Sequence, residues 1–381
     1  MDFELSKEHQ MLQKLYREFA ENEVEPIAAE IDEEERFPSE TIPKLAKIGM
    51  MGIPWPKEVE GSGADNVAYA MAIEEIAKKC VTTSTIVAAH KSLCTYPIFH
   101  FGTKEQIEKY VPDLASGRKL GAFGLTEPEA GTDSAAQQTE AVLDGDHYVL
   151  NGTKCFITNA SEADVFMVVA MTDKSKGNHG ISTFIVEKGM PGFSVGPHEK
   201  KMGIRGSATS DLIFEDCIVP KENMLYKEGK GFKVAMNTLD GARVGVAAQA
   251  LGVAEGAIDE TIKYVKERVQ FGRRISQFQN TQFELADMQA RTDAGKGLVY
   301  RAACAKDRND PKTGYYSAMA KMYCGRNASD VTRRCLQLFG GYGYIRDFPI
   351  ERMMRDAKIT EIYEGTSEVQ KIVVSRAMGV K

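Results

Sequence analysis

Val142-Leu143-Asp144-Gly145-Asp146-His147-Tyr148-Val149-Leu150-Asn151-Gly152 is the stretch that decides the fold. Asp144-Gly145 and Asn151-Gly152 are hairpin turn signals, because both dipeptides reach positive φ at low cost. They flank short β-prone runs at Val142 and at His147 to Leu150. Val165 to Met171, Ile181 to Val186 and Leu212 to Val219 continue the pattern, and Pro220 stops it. Several short strands at close spacing predict a compact β domain of sandwich or barrel type over residues 121–230.

On either side the apolar period becomes helical. Within 1–120, Leu12, Leu15, Phe19 and Val24 mark one stripe, and Met71, Ile73, Ile76 and Ala77 another. Thr103 with Gln106 reads as a capping box ahead of Ile107 and Val111. No part of this segment alternates as a strand does. Within 231–381, Ala250, Leu251, Ala254, Ile258, Ile262 and Val265 trace one face. Phe283, Ala286, Ala290, Ala294, Leu298 and Ala302 trace another. Gly245, Ala248, Gly252 and Gly256 allow close helix contact, and long antiparallel helices with short loops predict a four-helix bundle. The expected fold is mainly α with a central β domain, in the order helical domain, β domain, helical bundle.

A chain of 381 residues can bury one large core or several smaller ones. Its net charge of −6, with basic residues interspersed among carboxylates, gives no case for nucleic acid. The seven cysteines (80, 94, 155, 217, 304, 324 and 335) lack C-x-x-C spacing and read as reduced, buried thiols of a cytosolic protein. Met1-Asp2-Phe3-Glu4-Leu5 is not a signal peptide, and no apolar run reaches the length of a membrane span. A cytoplasmic protein with no membrane partner and no metal is expected. His90 and His100 read as packed or surface side chains, and Lys91 beside them is a charge without an explanation.

Near the C-terminus stands Ile362-Tyr363-Glu364-Gly365-Thr366-Ser367-Glu368. A carboxylate between an aromatic residue and a glycine, at the mouth of a helix, suits a general base. The glycine lets backbone approach a ligand, and the following Thr or Ser can cap the helix. Alone, the run also fits an ordinary capped surface helix. Three companions change that reading. They are Ala122-Phe123-Gly124-Leu125-Thr126-Glu127-Pro128-Glu129-Ala130-Gly131-Thr132-Asp133, then Asn151-Gly152-Thr153-Lys154-Cys155-Phe156-Ile157-Thr158-Asn159, then Gln337-Leu338-Phe339-Gly340-Gly341-Tyr342-Gly343-Tyr344.

Together, in this order, the four motifs resemble the acyl-CoA dehydrogenases over essentially the whole chain, most closely the short-chain, butyryl-CoA type. The resemblance implies FAD. Phe123, Leu125 and Thr126 would lie along its isoalloxazine ring, Phe156 would back one face where the family often has Trp, and Thr158 would reach towards N5. Thr132 would sit where the CoA arm and the flavin phosphates meet. Arg268, Phe271 and Gln279 match positions that hold the adenine and diphosphate of a neighbouring subunit's FAD, with Gln337, Gly340 and Gly341 as complementary contacts. Thr366 and Glu368 complete the cofactor set. A homo-oligomer follows, in this family a tetramer.

Leu239, Asp240, Arg243, Tyr363 and Gly365 align with acyl-CoA contacts. Glu364 aligns with the base, and Ala242 occupies the position from which other branches supply theirs. The implied reaction is α,β-dehydrogenation of a short acyl-CoA thioester, butyryl-CoA to crotonyl-CoA or the reverse, with electrons exchanged with electron-transferring flavoprotein. Burial should raise the pKa of Glu364 against the opposing helix start. Branched-chain or enoyl-CoA-reducing chemistry and a non-catalytic scaffold are the alternatives. An acyl-CoA oxidase would carry an extra C-terminal domain. Ser84 at the position aligned with the glutaryl-CoA enzyme's arginine disfavours a dicarboxylate, and the lack of G-x-G-x-x-G between strand and helix excludes a nicotinamide site.

Overall fold

The computed structural model describes residues 4–380; Met1 to Phe3, part of the start read above, and Lys381 lie outside the described residues. Among the described residues seven α-helices come before any strand: α1 Lys7–Phe19, α2 Ala28–Glu33, α3 Thr41–Lys47, α4 Asn66–Ala77, α5 Val81–Ala89, α6 Tyr96–Phe101 and α7 Lys104–Ser116. The Thr103–Gln106 capping box opens α7 with both reciprocal bonds, at 3.3 and 3.0 Å. Met71, Ile73, Ile76 and Ala77 are buried on α4, as are Phe19 and Val24. Leu15 is not: α1 buries only Tyr16 and Phe19, so its apolar face is narrower than the spacing predicts.

The β domain is one sheet: β1 Gly121–Gly124, β2 Glu140–Asp144, β3 His147–Thr158, β4 Val165–Met171, β5 Ile181–Glu187, β6 Phe193–His198, β7 Thr209–Pro220 and β8 Met224–Leu225. Strand order is β6-β7-β3-β2-β4-β5-β8, with β1 added in parallel to β4. Phe166, Val168, Phe184, Val186, Leu212 and Phe214 fill its core. Asp144-Gly145 opens the β2–β3 turn, with Gly145 at φ 61°. Asn151-Gly152 does not turn the chain. β3 runs through it, and the register against β7 slips between Leu150 and Gly152, so the pair forms a bulge. The Asn151 amide binds Asp216, donating to its Oδ1 at 3.1 Å and accepting from its N–H at 2.8 Å. At Gly152 a Cβ would lie 2.7 Å from the Thr139 Cα. That glycine serves close approach rather than reversal.

The C-terminal part holds α8 Gly231–Glu267, the hairpin β9 Val269–Gln270 and β10 Arg273–Arg274, α9 Gln279–Asp307, α10 Thr313–Phe339, α11 Ile350–Ala357 and α12 Ser367–Ala377. On α8 the expected small residues are used against the N-terminal helices. A Cβ on Gly252 would meet the Glu74 carbonyl at 2.3 Å, and one on Gly256 the Lys78 carbonyl at 2.3 Å. This seats α4 directly on α8. The face expected on α9 is only partly right. Ala302 is buried and Leu298 half-buried, but Phe283, Ala286, Ala290 and Ala294 are exposed in the single chain, and Met288, Thr292, Gly295 and Val299 are buried in their place. Alanine is tolerated on either side of a helix, so its spacing does not select the buried side. Six cysteines are buried and Cys304 half-buried, all free thiols. No helix among the described residues is long and apolar enough to cross a membrane.

Candidate active site

Where the three parts meet, a cleft of about 410 Å³ opens. Thr85, Ala88 and Ala89 of α5 form one wall, with Leu93 from the π-helical turn that follows. Phe123 of β1 and the loop residues Leu125, Thr126, Gly131, Thr132 and Ser134 form a second. Phe156, Ile157 and Thr158 of β3 form a third. Phe232, Met236, Leu239, Arg243 and Val246 project from one face of α8, and Tyr363, Glu364 and Gly365 close the cleft beside α12. Eleven of the residues expected at the site therefore converge here: Phe123, Leu125, Thr126, Thr132, Phe156, Thr158, Leu239, Arg243, Tyr363, Glu364 and Gly365.

The remaining expected residues lie elsewhere. Asp240 turns to Arg243, accepting from its Nη1 at 2.5 Å. Thr366 caps α12 by accepting from the Val369 N–H, as its place in the sequence suggested, and Glu368 is exposed on the first turn. Arg268, Gln337, Gly340 and Gly341 line a separate cleft of about 550 Å³ with Tyr342, whose ring lies 5.0 Å from the Arg268 guanidinium. Phe271, 94% exposed, and Gln279 line neither cleft. A larger groove of about 620 Å³ between α2 and α11 is lined by paired charges such as Arg346 with Glu33 and Lys79 with Glu25.

The turn that carries Glu364 is strained and tightly held. Glu364 has φ 52° and Gly365 φ 93°. A non-glycine residue in the left-handed region costs energy that the surroundings must offset, which is typical of functional positions. Tyr363 donates to Gln249 Oε1, and the Gln249 amide donates to Thr85 Oγ1 at 2.6 Å, Ser84 Oγ at 2.9 Å and the Val81 carbonyl at 3.1 Å. Gln370 donates to the Gly365 carbonyl at 2.8 Å, and Lys321 donates to the same oxygen at 2.6 Å. The sequence reading missed Gln249, Lys321 and Gln370. A lone amide within the apolar run of α8 was the only signal available.

Glu364 Oε2 is buried without a hydrogen-bond partner, an exception among buried polar groups that calls for a functional account. Burial pushes this carboxyl up to about 7, and the cations Lys321, Arg243 and Lys306 restrain it from rising further. Desolvation dominates, as expected, and side-chain cations oppose it. Among the described residues the Glu364 backbone N–H donates to no other group. A base matched to neutral pH and an unspent donor thus share one peptide.

Family models described as acyl-CoA dehydrogenase N-terminal, middle and C-terminal domains match residues 6–118, 122–217 and 229–379. The chain belongs to the acyl-CoA dehydrogenase family. It is 58% identical over 375 residues to the short-chain specific acyl-CoA dehydrogenase of Clostridium acetobutylicum, covering 98% of this chain and 99% of that one. The solved butyryl-CoA dehydrogenase of Megasphaera elsdenii superposes with a TM-score of 0.97 at 49% identity, covering 99% and 100% of the two chains. A chain in the structure described as the electron transferring flavoprotein of Acidaminococcus fermentans gives a TM-score of 0.98 at 54% identity, with 99% of each covered.

In this acyl-CoA dehydrogenase, His90 is a packed side chain. Its Nδ1 accepts from the Gly121 N–H at 3.0 Å and its Nε2 donates to the Leu114 carbonyl at 2.9 Å. Lys91 is buried over the Tyr69 ring at 3.9 Å and donates to Asn66 at 3.3 Å. Ser84 faces away from the cleft towards Val81 and Gln249, so α5 contributes Thr85 and two alanines to the wall and no cation.

The cleft also fits a flavin. Phe156 is 65% exposed on its wall at φ 59°, an uncovered aromatic face beside the hydroxyls of Thr126 and Thr158. A flat heteroaromatic ring with one polar edge suits that surface. In the separate cleft, Gly340 at φ 61° has open space where a Cβ would stand, next to Arg268. A half-buried guanidinium beside uncovered backbone suits a diphosphate.

Proposed function

We propose that the protein is a FAD-dependent dehydrogenase of short-chain acyl-CoA thioesters, interconverting butyryl-CoA and crotonyl-CoA and exchanging electrons with electron-transferring flavoprotein. The carboxyl of half-buried Glu364, whose Oε2 is buried without a partner and which is poised near neutrality in a mostly apolar cleft, carries this reading. FAD, when bound against Phe156, Thr158 and Thr126, supplies the acceptor for the β-hydrogen.

Everything else falls to the chain. Glu364 takes the α-proton. The free N–H of the same residue donates to the thioester carbonyl, which gains charge as that proton leaves, and such preorganised donors are commonly the largest catalytic contribution. Leu239, Val246 and the alanines of α5 exclude water from the acyl chain. Arg243 and Thr132 supply the polar contacts for the CoA portion, while Arg268, Gln337, Gly340 and Gly341 engage the FAD of a neighbouring subunit in a homotetramer.

A short acyl preference agrees with the modest cleft and with walls that bring no cation from α5. It also agrees with the short-chain and butyryl-CoA names of the relatives described above. The partner flavoprotein agrees with the subject of the Acidaminococcus structure. Thioesters from C3 to C8, assayed on purified protein carrying FAD, should give the highest kcat/KM at C4 and fall towards C8. An optimum at C8, or a chain that takes up no flavin, contradicts the proposal.

A further inference from the structure

Lys321 lies in the middle of α10 and is fully buried. Among the described residues it forms no ion pair, and its hydrogen bond goes to the Gly365 carbonyl at 2.6 Å. A neutral amide could make that bond, as Gln370 does from the other side at 2.8 Å. An ammonium kept away from water and without a direct counter-ion is costly unless its charge is used. The oxygen it grips belongs to the residue after Glu364, in the turn where both residues have positive φ.

We infer that Lys321 is a positioning residue for proton abstraction: it holds the Gly365 carbonyl so that Glu364 keeps its left-handed turn, and it places a positive charge near the carboxylate. This rests on Glu364 being the base. The charged and titratable groups facing Glu364 come from every surrounding element: Lys321 from α10, Arg243 from α8, Lys306 from α9, Tyr69 from α4 and Tyr363 next to it. Glu361 and Glu368 face Lys321 in turn. Arg243 is already engaged by Asp240, and Lys306 Nζ makes no hydrogen bond and sits over the Tyr96 ring at 4.5 Å. Lys321 is the cation that also touches the backbone of the turn.

Both functions can be removed separately in the FAD-loaded, full-length protein. Lys321→Met deletes bond and charge, and Lys321→Gln keeps an amide donor while deleting the charge. Flavin reduction by butyryl-CoA is followed by anaerobic stopped flow across neutral pH. The carboxyl infrared band that Glu364→Gln abolishes is titrated in parallel, and butyryl-CoA affinity and the unfolding midpoint are measured on each variant.

In both variants the rising limb of the rate profile and the titration of that band should move to higher pH. At neutral pH, Lys321→Met should reduce flavin about 10- to 100-fold more slowly, the scale of a misplaced catalytic group, with a smaller change in butyryl-CoA affinity. Lys321→Gln should recover more of the high-pH rate. A limb and band that stay in place overturn the inference, whether the variants are fully active or merely less stable. A Glu364→Gln variant that still reduces flavin normally overturns the reading of the base instead. An inactive Glu364→Gln beside unmoved Lys321 variants overturns only the role of Lys321.

Discussion

Glu364→Gln is expected to slow flavin reduction by butyryl-CoA about 10²- to 10⁴-fold, the range for loss of a positioned general base. The substitution keeps size and shape. No second carboxylate can substitute, because residue 242 is an alanine and the cleft lining contains no acid besides Glu364. Flavin content and acyl-CoA affinity should persist, since Phe156, Thr158, Thr132 and Arg243 are unchanged. In the unmodified protein the rate should fall as pH drops through about 7, where the carboxyl becomes protonated. Stopped-flow traces on variant and parent decide this, and a variant within a few-fold of the parent rejects the assignment.

The second large effect is expected at Lys154, which is fully buried in β3. Its ammonium donates to Glu127 Oε1 at 2.6 Å, to the Leu125 carbonyl at 3.3 Å and to Gln137. Glu127 in turn accepts from the Gln138 and Thr139 N–H groups. Burial lowers the Lys154 ammonium to about 8, yet Lys154 still holds Glu127 below the usual carboxylate range, so both are charged at neutral pH. The pair ties the loop that carries Leu125, Thr126 and Thr132 to the strand that carries Phe156 and Thr158. Lys154→Met strands the buried Glu127 charge, and breaking such a pair costs about 3–5 kcal/mol. A markedly lower thermal midpoint and weakened FAD retention should follow together. An unchanged midpoint with full flavin content would refute this account of the loop.

How much of this was legible in the sequence depended on whether a local pattern had one reading. Val165 to Met171 and Ile181 to Val186 could only be strands, and both are. The capping box at Thr103 and Gln106 was explicit. Asn151-Gly152 carried a hairpin signal that the bulge and the contact with Thr139 overrode, because β3 gains more by continuing beside β7 than by turning. The α9 face misled because alanines surround that helix. Glu364 was legible from its neighbours, but the groups that hold its turn were not. Lys321 and Lys154 look like solvated charges in sequence, and only the burial of α10 beneath the α12 turn, and of β3 behind the loop, makes them interior. Clefts that hold Arg268 and Phe156 apart from one another are likewise a tertiary fact.

The most direct test is proton exchange at the α carbon of butyryl-CoA in D₂O, followed by mass spectrometry under anaerobic conditions, because it isolates the step assigned to Glu364. The parent protein should wash deuterium into the α position at a rate that rises with pH through about 7, and Glu364→Gln should show no exchange above the protein-free control. Exchange at the parental rate in Glu364→Gln would contradict the account.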